Sequence, residues 1–195
     1  MIKLYTSKGS GNGFKIRVML RLLGLAFEEV VVYTADGEHK KAPYLALNPR
    51  GQVPTLDDNG TIVWDSMAIL VYLARKYGGE TWLPTDPKGM AEVTQWLALG
   101  ANEIQYGLQY ARGILKGIRK GDYDDYAARA RLALDVLEKH LKANDWLACG
   151  RPTIADIACH SYVALADEAK LPLANYPAAS AWIGRIAALP NYPAR

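Results

Sequence analysis

The sequence predicts an α+β chain of two domains: a small mixed β-sheet with helices over residues 1–78, a linker at 79–87, and an all-α helical bundle over residues 88–195. Three observations carry this reading. Short strand-like apolar runs separated by turn residues crowd into the first third of the chain. The stretch Gly78-Gly79-Glu80-Thr81-Trp82-Leu83-Pro84-Thr85-Asp86-Pro87 then interrupts the pattern with two glycines and two prolines. Beyond it, helical periodicity dominates.

Residues 2–5 and 27–33 read as strands, separated by a helix whose Ile16, Met19, Leu20 and Leu23 follow the 3.6-residue period until Gly24 stops it. That is a β-α-β unit. Residues 54–57 and 61–64 follow as strands, and Asn59-Gly60 between them is a strong hairpin signal. A helix from Ser66 to about Tyr77, with Ile69, Leu70, Leu73 and Tyr77 at helical spacing, completes the first domain. Helices are expected near 88–117, 123–142, 153–168 and 177–188. Thr153-Ile154-Ala155-Asp156 opens the third of these with a threonine cap and an acid three positions on, the reciprocal capping arrangement.

With 195 residues, half of them hydrophobic, the chain is long enough to bury a core. The net charge of +3 is spread along the sequence, so nucleic-acid binding gains no electrostatic support. Arg112 to Lys120 is locally basic, which a solvated helix end explains. No apolar run approaches the ~20 residues that span a bilayer, and the strand pattern begins at Met1-Ile2-Lys3-Leu4-Tyr5, leaving no room for a signal peptide. A cytoplasmic protein without membrane or nucleic-acid partners is expected. Cys149 and Cys159 have neither CxxC nor metal-ligand spacing, so neither a disulfide framework nor a metal site is expected.

The tightest pattern is Asn48-Pro49-Arg50-Gly51-Gln52-Val53-Pro54-Thr55-Leu56, followed by Trp64-Asp65-Ser66-Met67-Ala68-Ile69-Leu70. Pro54 lacks an amide hydrogen and opens a short strand, so the Val53 backbone is free for something other than a neighbouring strand. An extended peptide pairs with such a backbone by strand addition. Ser66 stands at a helix N-terminus, where free N–H groups and the dipole attract a carboxylate. In order and spacing these motifs resemble the cytosolic glutathione transferases, over nearly the whole chain. The resemblance implies a thioredoxin-like βαβ-ββα domain followed by the helical bundle. It also implies a cis Val53-Pro54 bond, with Val53 pairing the cysteinyl backbone of glutathione while Asp65 and Ser66 hold its γ-glutamyl end.

Chemistry is expected in the loop Thr6-Ser7-Lys8-Gly9-Ser10-Gly11-Asn12-Gly13-Phe14-Lys15, whose glycines let a ligand approach the backbone closely. Ser10 and Asn12 stand before or at the helix start, where a side-chain hydrogen bond and the dipole lower a thiol pKa. Either residue also suits a helix cap. The loop is similar to that of serine-type bacterial family members, theta- or nu-like, which makes Ser10 the candidate for stabilising the glutathione thiolate, with Asn12 as assistant or substitute. Tyr5, a catalytic position in other branches, reads as packing. No cysteine stands in the loop, so a mixed disulfide with the enzyme is disfavoured.

His39 resembles a family position at the glycyl end of glutathione, and Lys40 and Gln52 would add donors there; an exposed polar loop is the plain alternative. His140 and His160 read as packing or surface residues. Asn102, Tyr106 and Tyr110 recur every four residues on one helix face and are candidates for the second-substrate pocket, though such a stripe equally serves helix–helix packing. The resemblance therefore implies a homodimeric detoxification enzyme that takes glutathione as co-substrate and adds its thiolate to a small hydrophobic electrophile. Glutathione-dependent peroxide or disulfide reduction on the same site, or a non-catalytic glutathione-binding stress protein, are the alternatives. Isomerisation fits less well, because the isomerase relatives carry Ser-Ser-Cys where this chain has Ser10-Gly11-Asn12.

Overall fold

A computed structural model describes residues 1–193. The chain divides into two compact units, Met1–Gly79 with the segment from Pro190, and Glu80–Leu189. In the first, β1 (Ile2–Thr6), α1 (Gly11–Leu22) and β2 (Phe27–Val31) form the expected β-α-β unit, with β1 and β2 parallel. A 3₁₀ turn at Glu38–Lys40 and a one-turn helix α2 (Ala42–Leu45) follow, neither of them signalled by periodicity over so few residues. β3 (Thr55–Asp58) and β4 (Thr61–Trp64) then complete a mixed sheet in the order β2-β1-β3-β4. Asn59 and Gly60 both take positive φ, 52° and 94°, in the two-residue hairpin, as a primed turn requires.

The sheet and helices enclose a core of Leu4, Ile16, Met19, Leu20, Leu56, Ile69, Leu70 and Leu73, all fully buried. α3 (Ser66–Leu73) is shorter than expected, because the backbone widens into a π-helical turn at Ala74–Gly78. Part of the expected linker is itself helical: α4 (Gly79–Trp82) is a single turn, and the carbonyls of Glu80 and Thr81 both accept hydrogen bonds from Arg151.

The second unit is helical throughout. The predicted helix near 88–117 is interrupted in register: α5 (Pro87–Leu99) passes into a π-helical stretch, Gly100–Gln109, and returns to α geometry in α6 (Tyr110–Leu115). Gly107 allows the close approach made there, since a Cβ at this position would lie 2.6 Å from the Ala130 backbone nitrogen. α7 (Tyr123–Leu141), α8 (Ile154–Val163) and α9 (Pro177–Ala187) complete the bundle. α8 ends earlier than the periodicity suggested, and Ala166–Ala169 turns as a separate 3₁₀ segment.

The capping box at Thr153 and Asp156 is formed, and the buried Asp156 carboxylate also accepts from Leu147 N and Trp182 Nε1. The basic stretch is exposed at Lys116 and Lys120 and also engaged: Arg112 and Lys116 both pair with Glu168, and the Arg119 guanidinium lies 3.9 Å over the Tyr110 ring. No described helix is long and apolar enough to cross a membrane.

Candidate functional site

Strand register decides which loops meet. Tyr5 pairs with Thr55 and Thr55 with Trp64, so the chain leaving β1, entering β3 and leaving β4 does so at one end of the sheet. Those three crossings carry Ser10 and Asn12, Val53 and Pro54, and Asp65 and Ser66. β2 ends at the same level, where Val31 pairs with Thr6 and Val32 N–H donates to Thr6 O, and from there the chain runs toward His39.

Ser10 is the N-cap of α1, with extended backbone and its Oγ accepting from Gly13 N–H at 3.0 Å. The capping alternative is thus realised, and it is compatible with the chemical one. An Oγ that accepts from the helix keeps its own proton to donate outward. The helix start lies hard against β1: a Cβ on Gly13 would fall 1.8 Å from Thr6 Oγ1. Thr6 Oγ1 and Asn12 Oδ1 are buried atoms that make no hydrogen bond among the described residues.

The Val53–Pro54 bond is cis. The antiparallel ladder begins at Thr55, leaving the Val53 backbone outside it. A buried network holds this segment from behind. Tyr44 Oη donates to Gln52 O at 2.7 Å and bonds Thr55 Oγ1 at 2.9 Å; Asn48 Nδ2 donates to the same two oxygens at 2.7 and 3.1 Å, while Asn48 Oδ1 accepts from Arg50 N–H at 3.0 Å. Both lone pairs of the Gln52 carbonyl are thereby spent on fixing the loop, and Thr55 Oγ1 accepts from Asn48 while donating to Tyr44 Oη.

Asp65 is the N-cap of α3 in a positive-φ conformation, φ 75°, uncommon for a residue with a side chain. Its Oδ1 accepts from Met67 N–H at 2.9 Å and its Oδ2 from Arg50 Nη1 at 2.9 Å. Ser66, the first residue of the helix, is buried.

His39 lies in the 3₁₀ turn beside the same loop: its carbonyl would sit 2.7 Å from a Cβ on Gly51, and neighbouring Lys40 Nζ donates to Arg50 O. Burial, with the adjacent Lys40 ammonium, lowers the His39 pKa, so the ring is neutral near pH 7. Gln52 offers an exposed side chain, its carbonyl being already committed.

A cis-proline loop, an acidic helix cap and a serine-capped first helix thus meet at one sheet end, and comparisons with known proteins cover both units of the chain. Residues 9–76 match the glutathione S-transferase N-terminal domain and residues 100–190 its C-terminal domain. Glutathione S-transferase 3 of Zea mays is 33% identical over 204 aligned positions, covering 98% of this chain and 91% of the maize protein. The chain belongs to the glutathione S-transferase family. A crystal structure of a glutathione S-transferase from Xanthobacter autotrophicus superposes with a TM-score of 0.91 at 35% identity, covering 99% of this chain and 96% of that one. Glutathione transferase URE2P6 of Phanerochaete chrysosporium, solved in complex with oxidized glutathione, does so with a TM-score of 0.89 at 28% identity, covering 98% and 92%.

The remaining candidates of this transferase-family chain lie in the helical unit, beyond the reach of the sheet register. Asn102 folds its side chain back onto Ala98 O at 3.0 Å. Tyr106 is exposed and stacks on Tyr110 at 5.1 Å between ring centroids, and Tyr110 stacks in turn on Tyr126 at 5.1 Å. Tyr110 is therefore held by packing on three sides, counting Arg119. His140 bonds the Trp146 carbonyl and packs on Trp96, and His160 is buried. Neither cysteine lies near the serine loop in sequence. Burial first, then the Glu92 carboxylate, raises the Cys149 thiol pKa.

Sequence reasoning passed over Tyr44, Asn48, Thr6 and Arg50. Asn48 and Arg50 stood inside the quoted motif, but a motif names residues without saying which way they turn.

Proposed function

We propose that this glutathione S-transferase family member binds glutathione along the Val53 backbone, activates its thiol as the thiolate, and adds it to a small hydrophobic electrophile. Ser10 donates the hydrogen bond that stabilises the thiolate. Asn12, in the first turn of α1, assists through its side-chain Nδ2–H donor. Asp65 and Ser66 hold the γ-glutamyl end, and His39 and Gln52 border the glycyl end as neutral donors. Of the second-substrate candidates, Asn102 and Tyr106 are exposed while Tyr110 is engaged by its neighbours. Most of the rate gain comes from proximity and from thiolate stabilisation. A cytoplasmic homodimer is part of this reading.

The observation that carries it is the row Tyr5–Thr55–Trp64, which brings three chain segments of complementary chemistry to one sheet end. Calorimetric titration with glutathione, together with thiolate absorbance of the bound peptide across pH, tests it. Saturable binding with a lowered thiol pKa is the expected result. Binding without a pKa shift would indicate a carrier or regulator, and no binding would overturn the site.

A further inference from the structure

The half-exposed pair Arg50–Asp65 stands at the mouth of this site, and both partners are anchored more firmly than a surface ion pair usually is. The Arg50 backbone is held on both sides, its N–H by Asn48 Oδ1 and its carbonyl by Lys40 Nζ. Asp65 is held by its own cap bond to Met67 N–H. Long side chains on mobile backbone gain little from pairing in water; here the bases of both side chains are already fixed.

The first turn of α3, Ser66-Met67-Ala68, brings no cation of its own, so the positive charge facing Asp65 comes from Arg50, 15 residues earlier in the chain. The contact uses one of the five guanidinium N–H donors and one of the roughly four lone-pair positions of the carboxylate. Both groups have capacity left, side by side, with opposite sign.

An adjacent fixed cation and anion are the complement of a zwitterion. The γ-glutamyl group of glutathione ends in one, an ammonium and a carboxylate on the same carbon. Asp65 attracts the ammonium but repels the carboxylate next to it, against the pull of the α3 N-terminus at Ser66. We propose that Arg50 is a specificity-determining residue for glutathione, its guanidinium receiving the α-carboxylate of the γ-glutamyl group while Asp65 takes the ammonium. This rests on the glutathione-binding reading above and adds to it a residue from a different loop.

The test uses glutathione and two truncated peptides, 4-aminobutanoyl-Cys-Gly, which lacks the α-carboxylate, and glutaryl-Cys-Gly, which lacks the amino group. Each is titrated calorimetrically into the unsubstituted protein, Arg50→Gln and Arg50→Lys. Arg50→Gln is expected to weaken glutathione by about 10- to 100-fold, the range of a hydrogen bond to a charged group. It should leave 4-aminobutanoyl-Cys-Gly unchanged and the thiol pKa of bound glutathione unmoved, and Arg50→Lys should restore part of the loss. Equal affinity of Arg50→Gln for glutathione overturns the assignment. Equal weakening of glutathione and 4-aminobutanoyl-Cys-Gly also overturns it, leaving Arg50 as a support for Asp65 only. Failure of the unsubstituted protein to bind glutathione removes the proposed function as well, an outcome distinct from both.

Discussion

The row Ile2–Asp58–Thr61 closes one end of the sheet and the row Tyr5–Thr55–Trp64 opens the other, and the polar atoms at the two ends are treated differently. At the first end the Asp58 carboxylate is buried and bonded by Lys76 Nζ at 2.6 Å, Tyr77 Oη at 2.7 Å, Tyr72 Oη at 2.9 Å and Asn59 Nδ2 at 2.8 Å. Burial alone would raise its pKa; the bonds from Lys76, Tyr77, Tyr72 and Asn59 outweigh that and hold it well below the usual carboxylate range. At the second end Thr6 Oγ1, Asn12 Oδ1 and His39 Nδ1 are buried without a partner among the described residues. One end satisfies its polar groups internally and contributes stability. The other leaves them without a partner among the described residues, which costs stability.

Swapping the roles of the two ends by mutation gives the sharpest tests. The largest effect belongs to Asp58→Ala, which removes four hydrogen bonds to a buried carboxylate. Urea unfolding should show a loss of about 2–4 kcal/mol, while glutathione affinity stays within about twofold because the site is at the other end. The pH dependence sharpens the same point. A carboxyl depressed in the folded state contributes fully above its unfolded pKa, about 3.9, and the contribution fades as pH falls below that toward the folded value. The unsubstituted protein should therefore lose stability below about pH 4 more steeply than the Asp58→Ala variant.

Asp65→Asn should do the reverse. Asparagine tolerates the positive φ and still caps the helix, so denaturation should shift by under about 0.5 kcal/mol. Glutathione should bind about 10- to 100-fold more weakly by calorimetry. Loss of stability comparable to that of Asp58→Ala would break the distinction between the ends.

The smallest effect is expected from Ser10→Ala, which touches both functions at once. Removal of the cap should cost about 1 kcal/mol of stability. Loss of one hydrogen bond to the thiolate should raise the pKa of bound glutathione by about one unit, read from its absorbance, with affinity little changed. An unmoved thiol pKa would leave Ser10 as a cap and nothing more.

Much of the fold was legible in the chain because its signals are local. Gly24 after Leu23, Asn59-Gly60 between two apolar runs, and Thr153 three residues before Asp156 each act within a few residues. The cis Val53–Pro54 bond followed from the family resemblance and not from physics, since any Xaa-Pro bond favours trans. The widened turns at Ala74–Gly78 and Gly100–Gln109 were not legible, because apolar spacing compatible with 3.6 residues per turn also accommodates a short π stretch. Nor was the fate of Arg112 and Lys116, which depends on Glu168 arriving from a segment more than fifty residues away.

By itself the sequence determined the succession of the longer strands and helices, the sheet-then-bundle organisation and the residue types at the candidate site, since periodicity, caps and turn residues act between near neighbours in the chain. Only the tertiary structure decided that Asp65 faces Arg50, that Tyr44 and Asn48 brace the Val53 loop, and that Asp58 is saturated while Thr6 and Asn12 are not. Those outcomes turn on strand register and on the directions of individual side chains. A shift of one residue in the pairing of Thr55 with Tyr5 would turn every β3 side chain to the opposite face.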